Sequence, residues 1–239
     1  MEPLVAYAEM CVYLTFRYML FAILIHWYFW WRDPAWTERF RLQSQEFQRA
    51  EVRREILSSL RSCLVAAIFM TMFQSRVISE TTLVYQKPFE KGVIWFFFSY
   101  GFLLIVHDTY FYWTHRLLHG SLLFDLTHRF HHKSRNPSAF AALSFGWLES
   151  FINFGWIAPL LYLVPLCYWQ LHLFSLIALF TDLLGHAGVS TFPAAWRKSP
   201  VFGWINTPFH HDLHHQKVRG NFGLYFTFWD RMMGTVVES

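Results

Sequence analysis

Twelve of the 13 histidines lie between His107 and His215, and most of them fall into three short runs. The first is His115-Arg-Leu-Leu-His119 and the second is His128-Arg-Phe-His131-His132. The third is His211-Asp-Leu-His214-His215, preceded by His210. Residues three and four apart share one face of an α-helix, so each run can aim two or three imidazoles at one point. Neutral imidazole is a common ligand of iron and other transition metals. Three such runs supply eight rings, more than one ion uses, so two metal ions are implied. One His-x-x-x-His pair is easily a surface coincidence; three clustered runs, two of them with the same His-x-x-His-His spacing, are not. The axial ligands of a di-haem protein would instead be isolated residues inside helices. The His-Glu-x-x-His pattern of a zinc protease is absent, because no His-Glu pair occurs.

The elements that must position these rings are membrane helices. Apolar residues make up 54% of the chain, aromatics 21% and charged residues 15%, with a mean hydropathy of +0.24. Soluble domains carry about 25% charged residues. Stretches apolar enough to span a bilayer lie at about 11–31, 62–79, 92–113, 147–165 and 166–186, the last two as a hairpin turning near Pro165. The expected fold is a single all-α domain: a bundle of four to five transmembrane helices with a helical cap, 114–146 and 187–239, that holds the histidines. Trp27, Trp30 and Trp31 close the first segment as an interfacial belt does. The stretch Arg32–Arg61 carries seven arginines, and its apolar residues Phe40, Phe47, Ile56 and Leu57 suit a helix lying on the membrane surface. The positive-inside rule puts this stretch, and by counting crossings the cap, on the cytoplasmic face. The net charge of +4 is thereby read as topology and not as a nucleic-acid surface, for which no motif is present. Cys11, Cys63 and Cys167 form neither a disulfide framework nor a Cys-x-x-Cys metal site. With Glu2 and Glu9 near its start, the chain shows no cleavable signal peptide.

The runs and their surroundings resemble the fatty acid hydroxylase/sterol desaturase superfamily, and look most like its bacterial members described as sterol desaturase family proteins. The resemblance is carried by His107-Asp-Thr-Tyr-Phe-Tyr-Trp-Thr-His115-Arg, His131-His132-Lys-Ser-Arg-Asn-Pro137, Gly185-His186-Ala-Gly188 and Gly223-Leu-Tyr-Phe-Thr-Phe-Trp-Asp-Arg231-Met-Met-Gly-Thr235, and runs from about Arg49 to Thr235. It implies an O₂-dependent oxidoreductase with two Fe ions that hydroxylates or desaturates an unactivated C–H bond of a lipid or sterol-like substrate. It also makes His186 a ninth ligand beside His115, His119, His128, His131, His132, His211, His214 and His215. Asp182 stands where relatives often have Asn or His, and it could bind metal directly or through water. Phe145-Gly146-Trp147 stands where many relatives read Phe-His-Pro, so one frequent imidazole is missing. Zinc can replace iron in isolated protein, since the affinity order does not favour Fe²⁺. Without a nucleotide fingerprint, an iron–sulfur pattern or a haem domain, the chain requires a separate electron donor: a reductase, a ferredoxin-like protein or a haem protein. Two other classes fit a histidine-rich membrane chain less well, namely a metal transporter and a zinc-dependent membrane hydrolase.

Further residues have expected roles. Asp108 lies about 20° around a helix from His115 and is expected to orient a metal-bound imidazole. His107 is expected behind the ligands or at the interface, and His210 in a structural role. Glu149, Asn153 and His172 are candidates for a substrate passage. Arg17 and His26 are expected to snorkel toward the interfaces, and Trp229, Asp230 and Arg231 to lock the tail.

Overall fold

Pro3 lacks the N–H that a first helical turn leaves unused, and it opens α1 (Pro3–His26), which runs on through a wide π-helical turn over Trp27–Trp31. The computed structural model describes residues 2–75 and 80–238. Asp33 then caps the short α2 (Pro34–Thr37), its carboxylate accepting the Trp36 N–H at 3.0 Å. The next helix, α3 (Arg49–Gln74), departs from the sequence expectation. Instead of a surface helix followed by a separate span, residues 49–74 form one rod, because no Gly or Pro interrupts them. Positions 76–79 of the expected segment lie outside the described residues.

The third long helix, α4 (Val93–Leu118), extends the expected span by a turn and carries His115 at its end. Among the described residues three helices are long and apolar enough to cross a membrane: Pro3–Trp31, Arg49–Gln74 and Val93–Leu118. The expected hairpin turns near Pro165, but its first limb is broken into α5 (Trp147–Gly155) and α6 (Ile157–Leu163). The break falls where Gly155 lies against the Phe69 ring of α3, whose nearest carbon would stand 3.1 Å from an added Cβ. The second limb is α7 (Tyr168–Gly185). Short 3-10 turns at His128–Lys133 and Ala139–Ala141, then α8 (Pro208–Lys217) and α9 (Phe228–Met232), complete the helical parts that bear on the site. No strand forms among the described residues; only isolated bridges occur, such as Ile205 with Phe226.

Small buried residues (Ala22, Ser59, Ser62, Ala66, Ala67) let α1 and α3 approach closely, as helices packed in lipid require. Tyr18 is buried between them and donates to the Phe140 carbonyl at 2.8 Å. A second cluster joins Leu103 of α4, Leu161 of α6, Leu166 of the turn before α7 and Phe174 of α7. Phe16, Ile94, Phe97 and Ile105 are exposed, so the outer faces are as apolar as a lipid environment demands. Two residues do not snorkel as expected. His26 is buried among Trp30, Trp31, Phe47 and Phe140, and Arg17 turns inward to donate to Ser175 Oγ at 2.8 Å. The tail is held by Asp230, whose carboxylate accepts the N–H groups of Phe222 and Gly223 at 2.9 and 2.8 Å. Trp229 Nε1 donates to Thr109 Oγ1 at 3.0 Å.

Candidate metal centre

The nine histidines meet at one end of the bundle and divide into two groups. His115, His119, His128, His132 and His214 form one; His131, His186, His211 and His215 form the other, with the ring nitrogens in each group within 4.8 Å of one another. The five-ring group comes from the end of α4, the 3-10 turn and α8. The four-ring group comes from the same turn, the residue after α7, and α8. Each His-x-x-His-His run therefore straddles both groups. Its first and last rings enter one group, and its fourth residue enters the other: His128 and His132 against His131, and His211 and His215 against His214. The expectation of one helical face aimed at one point is thus corrected. In the second run the backbone is a 3-10 turn, not an α-helix.

The spacing of the nitrogens bears on whether a metal fits. His115 Nε2 lies 3.0 Å from His128 Nε2, His132 Nε2 3.1 Å from His128 Nε2, and His214 Nε2 3.0 Å from His132 Nε2. In the other group His211, His215 and His131 Nε2 lie 3.0, 3.2 and 3.3 Å from His186 Nε2. Nitrogens held about 2.1 Å from one ion and about 90° apart stand about 3.0 Å from each other. Each group thus has the edge lengths of a coordination shell, and both fit a metal ion.

Five outer nitrogens, those of His115, His128, His186, His214 and His215, meet acceptors that hold the tautomer that frees Nε2, whereas the Nδ1 atoms of His131 and His132 are buried without a hydrogen-bond partner among the described residues. His115 Nδ1 is 3.0 Å from the Phe222 carbonyl, His214 Nδ1 2.7 Å from that of Gly220, and His215 Nδ1 2.9 Å from that of Ser134. A Cβ at Gly220, whose φ is +70°, would collide with the Thr235 carbonyl. His128 Nδ1 stands 2.5 Å from Glu149 Oε1, and His186 Nδ1 is 2.8 Å from the Asp182 carbonyl and 3.3 Å from its carboxylate. Such acceptors orient metal-bound imidazoles and raise their basicity.

Burial, and then the neighbouring rings, hold His128, His131, His132, His211, His214 and His215 well below the ordinary imidazole range; His119 is pushed down to about 2. They are neutral and ready to bind metal at neutral pH. His186 differs: burial lowers it most, but the charge and hydrogen bonds of Asp182, with the Glu55 carboxylate, together leave it raised.

Several expected residues stand elsewhere. Asp108 accepts the N–H groups of Tyr225 and Phe226 at 2.7 and 3.2 Å and so fastens the tail to α4 instead of orienting an imidazole. Seven residues of helix put it in line with His115 but about 10 Å away along the axis. His107 stacks on Trp156 and meets the Tyr225 hydroxyl at 2.9 Å. His210 caps α8, accepting the Thr207 N–H at 3.1 Å. Glu149, expected in a passage, is buried behind His128. Asn153 and His172 do line a cleft of about 170 Å³ between α1, α3, α4, α5 and α7, whose lining includes Phe145 and Asp182 beside the four-ring group. The carbonyls of Ser134, Gly220 and Phe222 left no signal in sequence, since any residue offers one.

The Fatty acid hydroxylase family model matches residues 100–235, more than half of the chain. A Delta(7)-sterol 5(6)-desaturase of Gibberella zeae is 28% identical over 193 residues, covering 79% of this chain and 57% of the relative. Lathosterol oxidase of Rattus norvegicus is 28% identical over 205 residues (81% and 64%), and a methylsterol monooxygenase of Aspergillus fumigatus 33% over 138 residues (55% and 44%). The chain spans roughly half to two thirds of the length of these three relatives. No solved structure matches it. The family match begins before the first histidine run and ends after the last, enclosing both ring groups, and the chain belongs to the fatty acid hydroxylase family.

Proposed function

We propose that this chain is an O₂-dependent membrane oxidoreductase that holds two iron ions and hydroxylates or desaturates an unactivated C–H bond of a lipid or sterol-like molecule. The observation that carries the reading is the division of nine buried or half-buried imidazoles into a five-ring and a four-ring group beside an apolar cleft. Iron bound there would supply the O₂ activation that an unactivated C–H bond requires and that no side chain offers. The chain's own residues hold and shield. Glu149 and Asp182 accept from the outer N–H groups of His128 and His186, while Phe111 and Phe145 pack on His115 and His131 and keep water from the rings. The cleft lies among membrane helices, which suits a substrate that arrives from the bilayer. The names of the relatives place sterols among the substrates to test. Electrons would come from a separate protein, and the arginine-rich stretch 32–61 supports a cytoplasmic active site.

The test is elemental analysis of active protein together with lipid profiling of a deletion strain beside its complemented parent. Two iron ions per chain and an oxidised lipid that vanishes and returns are expected. One metal or none in active protein defeats the reading.

A further inference from the structure

Arg17 stands at the middle of the span Pro3–Trp31, where a charge in hydrocarbon is costly and marks a functional position. The guanidinium faces the cleft and not the lipid. Nη1 donates to Ser175 Oγ at 2.8 Å, and the buried Nε finds no acceptor among the described residues. No carboxylate pairs with it among those residues either. Toward the metal centre the lining is apolar, with Ala178 and Leu179 between Ser175 and Asp182 on α7 and Leu143 and Phe145 opposite, and Asp182 lies at that side of the cleft. Ser175 precedes His186 by eleven residues of α7, about 16 Å of helix.

We propose that Arg17, with Ser175, receives the carboxylate of a long-chain fatty acid whose alkyl chain lies along the cleft. The far carbons of that chain then lie at the Asp182 end, beside the four-ring group. A carboxylate offers two acceptors that match the guanidinium fork and neutralises its charge away from water. A sterol offers one neutral hydroxyl, which does neither. The span from Ser175 to the Asp182–His186 end accommodates roughly eight to twelve methylenes. The inference deepens the oxidase reading and rests on it for the meaning of the Asp182 end.

The test is equilibrium binding of radiolabelled hexadecanoate and hexadecan-1-ol to the full chain in nanodiscs, with metal content measured on the same preparation. Wild type is expected to bind the carboxylate at least about 10-fold tighter than the alcohol. Arg17→Gln should weaken the carboxylate about 10–100-fold, the range for losing a charged hydrogen-bonding partner, and leave the alcohol nearly unchanged. Arg17→Lys should restore part of the preference, and Ser175→Ala should lose a smaller part. Equal binding of the two ligands by wild type overturns the proposal, whether or not the Gln variant folds. So does unchanged carboxylate binding in Arg17→Gln, or displacement of hexadecanoate by equimolar cholesterol or phosphatidylglycerol. A carboxylate preference in protein that binds no metal would sink the oxidase reading and keep the head-group site. Two irons and an oxidised lipid with no carboxylate preference would do the reverse.

Discussion

Behind His128 of the five-ring group stands a sealed wall, and behind His186 of the four-ring group stands the edge of a cleft. Glu149 supports His128 from a site 1% exposed and lines no part of the cleft, whereas Asp182 supports His186 from a site 16% exposed that opens on it. His186 also has a second acceptor, the Asp182 carbonyl at 2.8 Å; for His128 the carboxylate is the acceptor found among the described residues. The difference separates two supports: Glu149 is enclosed and only holds, while Asp182 borders the space a substrate would enter. Both ring groups meet that space, through Phe145 on His131 and Phe111 on His115, and His119 of the five-ring group is the one ring of the nine that is only partly buried.

Removing a ring from either group is expected to have the largest effect. His132→Ala and His215→Ala should each lower turnover by more than about 100-fold, beyond the usual loss for residues behind metal ligands. Elemental analysis should show a lost metal in both. His26→Ala should destabilise the fold by about 1–3 kcal/mol, as an emptied aromatic site does, yet keep both metals. An active His132→Ala variant would remove the five-ring group from the chemistry.

Glu149→Gln comes next. It keeps shape but withdraws the charge behind His128, so metal affinity should fall about 10–100-fold in a chelator competition. Asp182→Asn should cost less, about 10-fold or below in turnover with metal retained, because the carbonyl still holds His186. If Asp182→Asn proves the worse of the two, the wall and the cleft edge have been assigned the wrong way round.

The smallest effect expected is one of pH. In metal-stripped protein eight rings outside the spans, His119 and His210 among them, have lowered folded values, against about 6.5 unfolded. Below pH 6.5 the unfolded chain takes up protons that the folded chain refuses. Stability is therefore full above that pH and declines as pH falls toward the folded values. His186, raised, acts in the opposite sense, as do the buried carboxyls of Asp212 and Asp230, three groups against eight. Thermal midpoints from pH 8 to 5 should fall for stripped protein and hold further down for loaded protein, whose ions protons must first displace. A stripped protein more stable at pH 5 than at pH 7 would contradict this electrostatic account.

Eight of the nine clustered rings were legible because their signal is local, residue type at a spacing of three and four; His186 came only with the family resemblance. The division of the rings was not legible, because that depends on how three separate elements are aimed. The angular argument for Asp108 was sound around the helix and failed along it, where rise per residue puts it out of reach of His115. The long apolar spans declared themselves by composition, but the break after Gly155 depends on the Phe69 ring of another helix. Arg17 did carry a signal, a lone charge in an apolar span. Which way it turns depends on Ser175, 158 residues away.

The tail gives the site an order in time. The carbonyl that fixes His115 belongs to Phe222, 107 residues later, and Phe222 is itself pinned by Asp230. At 5–20 residues per second, roughly 5–20 s pass between synthesis of the ring and synthesis of its support. The spans are made and can enter the membrane in that interval. A nascent or truncated chain therefore sits in the bilayer with unfinished ring groups, and only arrival of the tail completes them.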